Sequence, residues 1–203
     1  MPVGNTRLVP IHIALCAAIL MGAVSWAAQA EPPSRATRLA VWPQGAASPK
    51  FKLVDTEGVP RTLNDYRGRV VVVFFGFLHC PDVCPAELLK LAMVMKQLGP
   101  VAERVRVLFV TLDPGRDTPA MLKKYVSGFD PRFTGLTGTS TQVDEAAGSF
   151  NVQYAHVPLG DSYTVDHSTA VYLLDATGRL RLIGAANSSV ADLVHDIGVL
   201  ASE

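Results

Sequence analysis

The sequence carries no excess charge of either sign: 18 Lys and Arg stand against 18 Asp and Glu. Nothing therefore pulls the chain electrostatically toward nucleic acid or an anionic membrane surface, and no nucleic-acid role is expected. At 203 residues, about half of them hydrophobic, the chain is short for two cores and suits one domain plus a targeting segment. Internal repeats are absent. Arginine is nearly missing from the N-terminal leader, where Arg7 stands alone, which disfavours a mitochondrial presequence. Leu15 stands where a lipoprotein signal needs a small residue before Cys16, so Cys16 is read as a passive apolar residue.

What the leader does contain is an uncharged run from Leu8 to Ala28, followed by Ala28-Gln29-Ala30, the small-x-small pattern of a cleavage point. A run of roughly 20 uncharged residues also spans a bilayer. Residues 1–30 are therefore a cleaved signal peptide or a retained membrane anchor. Either way the remainder is exported, to a bacterial periplasm, and the anchored form stays at the inner membrane. Residues 31–49 are rich in Pro, Ala, Ser and Gln without periodicity and read as a linker. Residues 50–203 are left as one folded domain.

That domain opens with a hairpin pattern, Phe51 to Asp55, a turn at Glu57-Gly58, then Val59 to Leu63. Val70 to Phe75 is a continuous β-branched and aromatic run, the mark of a central strand buried on both faces. Leu88, Leu91, Ala92, Met95 and Leu98 then show helical spacing, with Pro85 suited to the first turn. Met95 falls on that apolar stripe, so packing explains the Met93 and Met95 pair better than a methionine copper box. A second buried strand covers Val105 to Leu112. Asp117-Thr118-Pro119 starts a helix to about Val126, and Thr139 to Gln142 has capping-box spacing for a short helix to Ala147. The polar stretch from Asn151 to Asp166 reads as a long loop. Thr169 to Leu174 and Leu180 to Ile183 are further strands, and a helix from about Ser188 to Leu200 closes the chain. Alternating strands and helices followed by a hairpin and a last helix predict an α/β, thioredoxin-like fold: a mixed central sheet flanked by helices, with an N-terminal β-hairpin.

Cys80 and Cys84 fall between the end of the central strand and the start of its helix, where ligands bind in open sheets. The helix N-terminus favours thiolate, while Asp82 between the two cysteines opposes it. Two cysteines in an oxidising compartment also make an ordinary structural disulfide. As thiolates they would suit Cu(I), zinc or an iron–sulfur cluster and leave room for another ligand. Among the histidines, His12 lies in the leader, His79 adjoins Cys80 and packs locally, His195 belongs to a helix face, and His156, in the long loop, is a weaker candidate ligand. His167 stands where that loop enters a core strand, beside Asp166, which is placed to orient its ring. From spacing alone His167 is either a surface histidine or a ligand.

Gly76-Phe77-Leu78-His79-Cys80-Pro81-Asp82-Val83-Cys84-Pro85, Asp113 to Pro119, Gly135-Leu136-Thr137-Gly138 and Asp166-His167-Ser168 resemble, in order, the four signature blocks of the Sco/SenC proteins. The resemblance implies a thioredoxin-fold copper chaperone for the copper centre of cytochrome c oxidase. It implies Cys80, Cys84 and His167 as ligands of Cu(I), Cu(II) or both, and a supporting role for Asp113. The implied partners are a copper donor chaperone and the copper-bearing oxidase subunit, with the membrane reached through the N-terminal run. Binding rather than enzymatic turnover is then the expected activity.

The rival is a thiol–disulfide oxidoreductase that cycles Cys80 and Cys84 through a disulfide to keep oxidase-subunit cysteines reduced. Against it, the spacing is C-x-x-x-C, and Val165, Asp166 and His167 occupy the place where thioredoxin-like reductases carry a proline. A peroxidase is disfavoured by the absence of Thr-x-x-Cys at either cysteine.

Overall fold

The computed structural model describes residues 36–203; the leader lies outside the described residues. Among the described residues ten strands and four α-helices follow in order: β1 (Ala40–Val41), β2 (Leu53–Asp55), β3 (Pro60–Arg61), β4 (Val70–Gly76), α1 (Val83–Leu98), β5 (Val105–Thr111), α2 (Pro119–Ser127), β6 (Thr134–Thr137), α3 (Ser140–Ser149), β7 (Tyr154–Leu159), β8 (Ser162–His167), β9 (Val171–Leu174), β10 (Leu180–Gly184) and α4 (Val190–Ala201). Among the described residues no helix is long and apolar enough to cross a membrane.

Eight strands form one mixed sheet in the order β1-β10-β9-β4-β5-β6-β2-β3, and β7 pairs with β8 in a separate two-stranded ribbon. The parallel core β4-β5-β6 is continued on one side by antiparallel β9, and β4 is buried at every residue, as its β-branched sequence predicts. Alternation along β4 divides the two faces of the sheet. Phe75 packs edge-on against Phe150, at the end of α3, and against Tyr172. Phe74 lies on the other face beside Phe109, whose ring in turn meets Tyr125 of α2. Helices thus cover both faces, as the thioredoxin-like reading requires.

Local capping signals operate where expected. Thr118 caps α2 through Met121 N, Thr139 and Gln142 form a reciprocal capping box on α3, and Ser189 caps α4.

Three segments differ from the sequence reading. Thr134–Thr137 is a strand, β6, made of one Gly, one Leu and two Thr, too short and too mixed to show a period. The stretch read as a long loop is the β7–β8 hairpin, whose outer strand is exposed along most of its length and so lacks an apolar alternation. Within the segment read as linker, β1 pairs antiparallel with β10. The fully buried Asp196 carboxylate accepts hydrogen bonds from Arg38 N at 2.9 Å and Leu39 N at 2.7 Å. A long-range acceptor on α4 pins this part of the chain, and no local pattern announces it.

Candidate metal centre

β4 ends at Gly76, and the loop Phe77–Asp82 carries the chain into α1. Gly76 is needed here for space: a Cβ on it would lie 2.8 Å from Cys84 Sγ and 2.9 Å from the Phe109 ring. Its carbonyl accepts from Leu112 N at 2.7 Å, tying the ends of β4 and β5 together. Cys80 is half-buried on the loop; Cys84, in the first turn of α1, is fully buried, and both thiols are unpaired. The side chain of the N-cap residue Asp82 caps nothing. Instead the Cys80 sulfur accepts the Cys84 backbone N–H at 3.4 Å, satisfying one of the free donors at the helix start.

His167, the last residue of β8, brings Nε2 to 3.5 Å from Cys84 Sγ. Its Nδ1 is 2.9 Å from the Ser168 carbonyl oxygen. A carbonyl only accepts, so Nδ1 carries the proton and Nε2 presents its lone pair to the sulfur. Phe77 meets the imidazole edge-on at 6.0 Å between centroids, and Phe74 lies tilted at 6.5 Å. Burial pushes the Cys84 thiol well above the ordinary thiol range. Carrying its proton, the Cys84 sulfur is placed to donate to that Nε2 lone pair. A ligating histidine whose second nitrogen donates to a carbonyl is the usual arrangement in metal sites.

The acidic residues behave differently from expectation. Asp166 does not orient His167: the two alternate along β8, Asp166 is exposed, and the ring nitrogen it was expected to hold is taken by the Ser168 carbonyl. Asp113 is buried and accepts from Arg116 Nε and, at 2.9 Å, from the Tyr163 hydroxyl. Asp117, which the sequence reading noted only as a helix start, is fully buried. One of its oxygens accepts from Leu78 N at 3.1 Å and Thr111 Oγ1 at 2.6 Å; the other lies 3.7 Å from His79 Nδ1. Burial raises its carboxyl above the ordinary range. Among the described residues His79, Asp113 and Asp117 are the one trio of His, Cys, Asp or Glu whose donor atoms all lie within 4.8 Å. Arg116 and Tyr163 already occupy Asp113, and Asp117 holds the cysteine loop through Leu78 N. Cys80, Cys84 and His167 do not close to that limit, so the sulfur of Cys80 stands apart from the Cys84–His167 pair.

Of the other described histidines, His195 Nδ1 is 2.8 Å from Asp196, and His156, a weaker candidate from sequence, meets Tyr163 edge-on at 4.8 Å between centroids. Met95 is a core residue, whereas Met93 is about half exposed and lies outside the core, against the packing reading of the pair.

The SCO1/SenC family model matches residues 42–202. The chain belongs to the SCO1/SenC family. It is 41% identical over 151 residues to the mouse mitochondrial protein SCO2 homolog, covering 72% of this chain and 59% of that one. It is 35% identical over 153 residues to Schizosaccharomyces pombe protein sco1, covering 73% of this chain and 58% of that one. The matched region thus spans little more than half the length of these relatives. Among solved structures, Bradyrhizobium japonicum ScoI with copper bound superposes with a TM-score of 0.71 at 35% identity, covering 76% of this chain and 99% of that one. Apo Sco1 from Thermus thermophilus gives 0.72 at 35% identity, covering 84% and 99%. These likenesses join the strand order above in assigning the thioredoxin-like fold.

Proposed function

We propose that this SCO1/SenC chain is a copper metallochaperone for the copper centre of cytochrome c oxidase, holding the ion with Cys80, Cys84 and His167. The observation that carries the reading is the 3.5 Å approach of Cys84 Sγ to His167 Nε2 across 83 residues of sequence. It joins a soft sulfur to an imidazole lone pair, with a second sulfur one helical turn away. Copper is cargo here, and a donor set of two sulfurs and one nitrogen serves Cu(I) and Cu(II) alike.

The half-buried Cys80 is the first protein ligand to meet copper on a donor chaperone. Copper then displaces the Cys84 proton and draws in His167, and release to the oxidase subunit reverses the order. Joining the sulfurs in a disulfide removes two ligands, so loading requires reduced thiols. Residues 1–30 export the domain to the periplasm or tether it at the inner membrane, and residues 50–203 carry the activity.

A thiol–disulfide oxidoreductase is the second reading. It is favoured by the pairing of one accessible and one buried thiol, Cys80 accepting a helix-terminal N–H. The raised Cys84 pKa counts against rapid turnover.

The test is Cu(I) titration of the reduced full chain against a competing chelator. One tightly held copper per chain is expected, with a loss of about 10-fold or more in His167→Ala and of all tight binding in the Cys80→Ser, Cys84→Ser double variant. Unchanged affinity in His167→Ala refutes the three-ligand site. Fast reduction of an oxidase-subunit disulfide, indifferent to His167, moves the assignment to the oxidoreductase.

A further inference from the structure

The ligand histidine proposed above is carried by the least anchored piece of the fold. β7 and β8 pair only with each other, and a two-stranded ribbon alone is marginal in water. At its base Ser168 N donates to Gln153 O at 2.9 Å, which closes the hairpin on itself. The alternation of β8 sets Tyr163, Val165 and His167 on one face, and that face turns toward the body of the domain: Val165 is buried, while Asp166 between it and His167 is exposed.

Tyr163 is where the ribbon is fastened. Its hydroxyl donates to Asp113 Oδ1 at 2.9 Å, and the Arg116 guanidinium lies over its ring at 3.7 Å. Arg116 Nη1 donates to the Tyr163 carbonyl at 2.8 Å, while Arg116 Nε pairs with the other Asp113 oxygen. The three residues close a triangle in which every member holds the other two. Asp113 is itself fixed to the floor of the cysteine loop. Its backbone N–H donates to Thr111 Oγ1 at 2.9 Å, Thr111 Oγ1 donates to Asp117 Oδ2 at 2.6 Å, and Leu78 N donates to the same oxygen at 3.1 Å. One hydrogen-bonded chain therefore runs from the loop that carries Cys80 to the strand that carries His167.

We infer that Tyr163 and Arg116 are positioning residues for the metal centre: with Asp113 they latch the β7–β8 hairpin so that His167 stays within reach of Cys84. Tyr163 sits four residues before His167 on the same extended strand, about 13 Å away at roughly 3.3 Å per residue. Releasing the latch leaves the buried Val165 as the remaining hold on β8, so the strand that carries His167 is free to shift along its whole length. The imidazole then moves off the sulfur, and the pocket opens to a two-sulfur site from which copper is more easily taken. Neither latch residue touches copper.

The inference rests on His167 being a ligand, and the experiment separates the two ideas. Cu(I) affinity, and the imidazole nitrogen hyperfine pattern of the Cu(II) form, are measured on the reduced full chain for Tyr163→Ala, Tyr163→Phe, Arg116→Lys and His167→Ala, and for Tyr163→Ala combined with His167→Ala. Tyr163→Ala and Arg116→Lys are expected to lose about 10- to 100-fold in affinity, the range for residues that orient a ligating histidine, with a weakened nitrogen pattern. Tyr163→Phe keeps the stacked ring and recovers most of the affinity. In the double variant Tyr163→Ala adds nothing to the loss from His167→Ala, because both act through one imidazole. Wild-type affinity in Tyr163→Ala, with His167→Ala impaired, overturns the latch and leaves the three-ligand site standing. An equal loss from Tyr163→Ala in both backgrounds also overturns it, since the effect then bypasses His167. Wild-type affinity in His167→Ala removes the ligand reading and the latch together.

Discussion

Replacing Gly76 by Ala tests the packing that places Cys84. The added methyl would have its Cβ 2.8 Å from Cys84 Sγ and 2.9 Å from Phe109 Cε2, both closer than ordinary van der Waals contact. Little nearby can yield. The Gly76 carbonyl accepts from Leu112 N at 2.7 Å, and β4 pairs with β5 as far as Gly76 opposite Thr111. Phe109 is held by Phe74 at 5.9 Å and by Tyr125 at 6.0 Å. The strain therefore falls on the first turn of α1 and on Cys84. Overpacking of this kind costs about 1–3 kcal/mol, which for a domain of this size lowers Tm by roughly 2–4 °C per kcal/mol. Because the displaced atom is the proposed ligand, copper affinity falls together with stability. The assay is calorimetric unfolding of the metal-free, reduced chain, paired with Cu(I) competition. Gly198→Ala serves as the control: it lies within α4 and an added Cβ meets nothing within 4 Å, so it should stabilise by about 0.5–1 kcal/mol. Wild-type Tm and wild-type copper affinity in Gly76→Ala would falsify the claim that this glycine makes room for the sulfur.

Three further predictions address proton linkage, N-terminal docking and ligand identity. The Cys84 pKa is raised by burial, so the metal-free chain keeps that proton through neutral pH and copper must displace it. Affinity therefore rises with pH, by at least about tenfold per unit between about pH 6 and about pH 8; a flat titration contradicts a protonated Cys84. Asp196→Ala removes the acceptor for Arg38 N and Leu39 N, and it should cost about 1.5–3 kcal/mol and open the chain around residues 38–42 to limited proteolysis; unchanged protection there counts against the pinning. His79→Ala, which removes a half-exposed side chain facing the buried Asp117 at 3.7 Å, should leave copper affinity within a few-fold of wild type, measured by the same Cu(I) competition. A full loss would make His79 a ligand in place of His167.

Much of this molecule is legible in its one-dimensional pattern. The unbroken β-branched and aromatic run Val70 to Phe75 reads as a strand covered on both faces, and β4 is buried throughout. The apolar spacing after Pro85 can only be a helix packed on one side, and Thr118, Thr139 and Ser189 mark helix starts through purely local hydrogen bonds. The position of the cysteines between such a strand and such a helix followed from the same patterns. The four motif blocks then identified the family. These features are local, so propensity and period carry them.

Contacts between distant segments decided the rest. β6 has four residues and no period of its own; it is a strand because β5 and β2 pair with it on either side. The β7–β8 ribbon has a mostly exposed outer strand and therefore no hydrophobic signal, yet it delivers His167 to Cys84. Proximity in sequence favoured Asp166 as the partner of His167, whereas strand alternation turned Asp166 to solvent and left the ring to the Ser168 carbonyl. In the sequence the helix N-terminus and Asp82 pull the Cys84 thiol in opposite directions and leave it undecided; burial of that sulfur in the folded domain pushes its pKa up. Residue types and local order were set by the sequence alone. Which groups meet, and in which protonation state, followed only from the packing of segments that lie far apart along the chain.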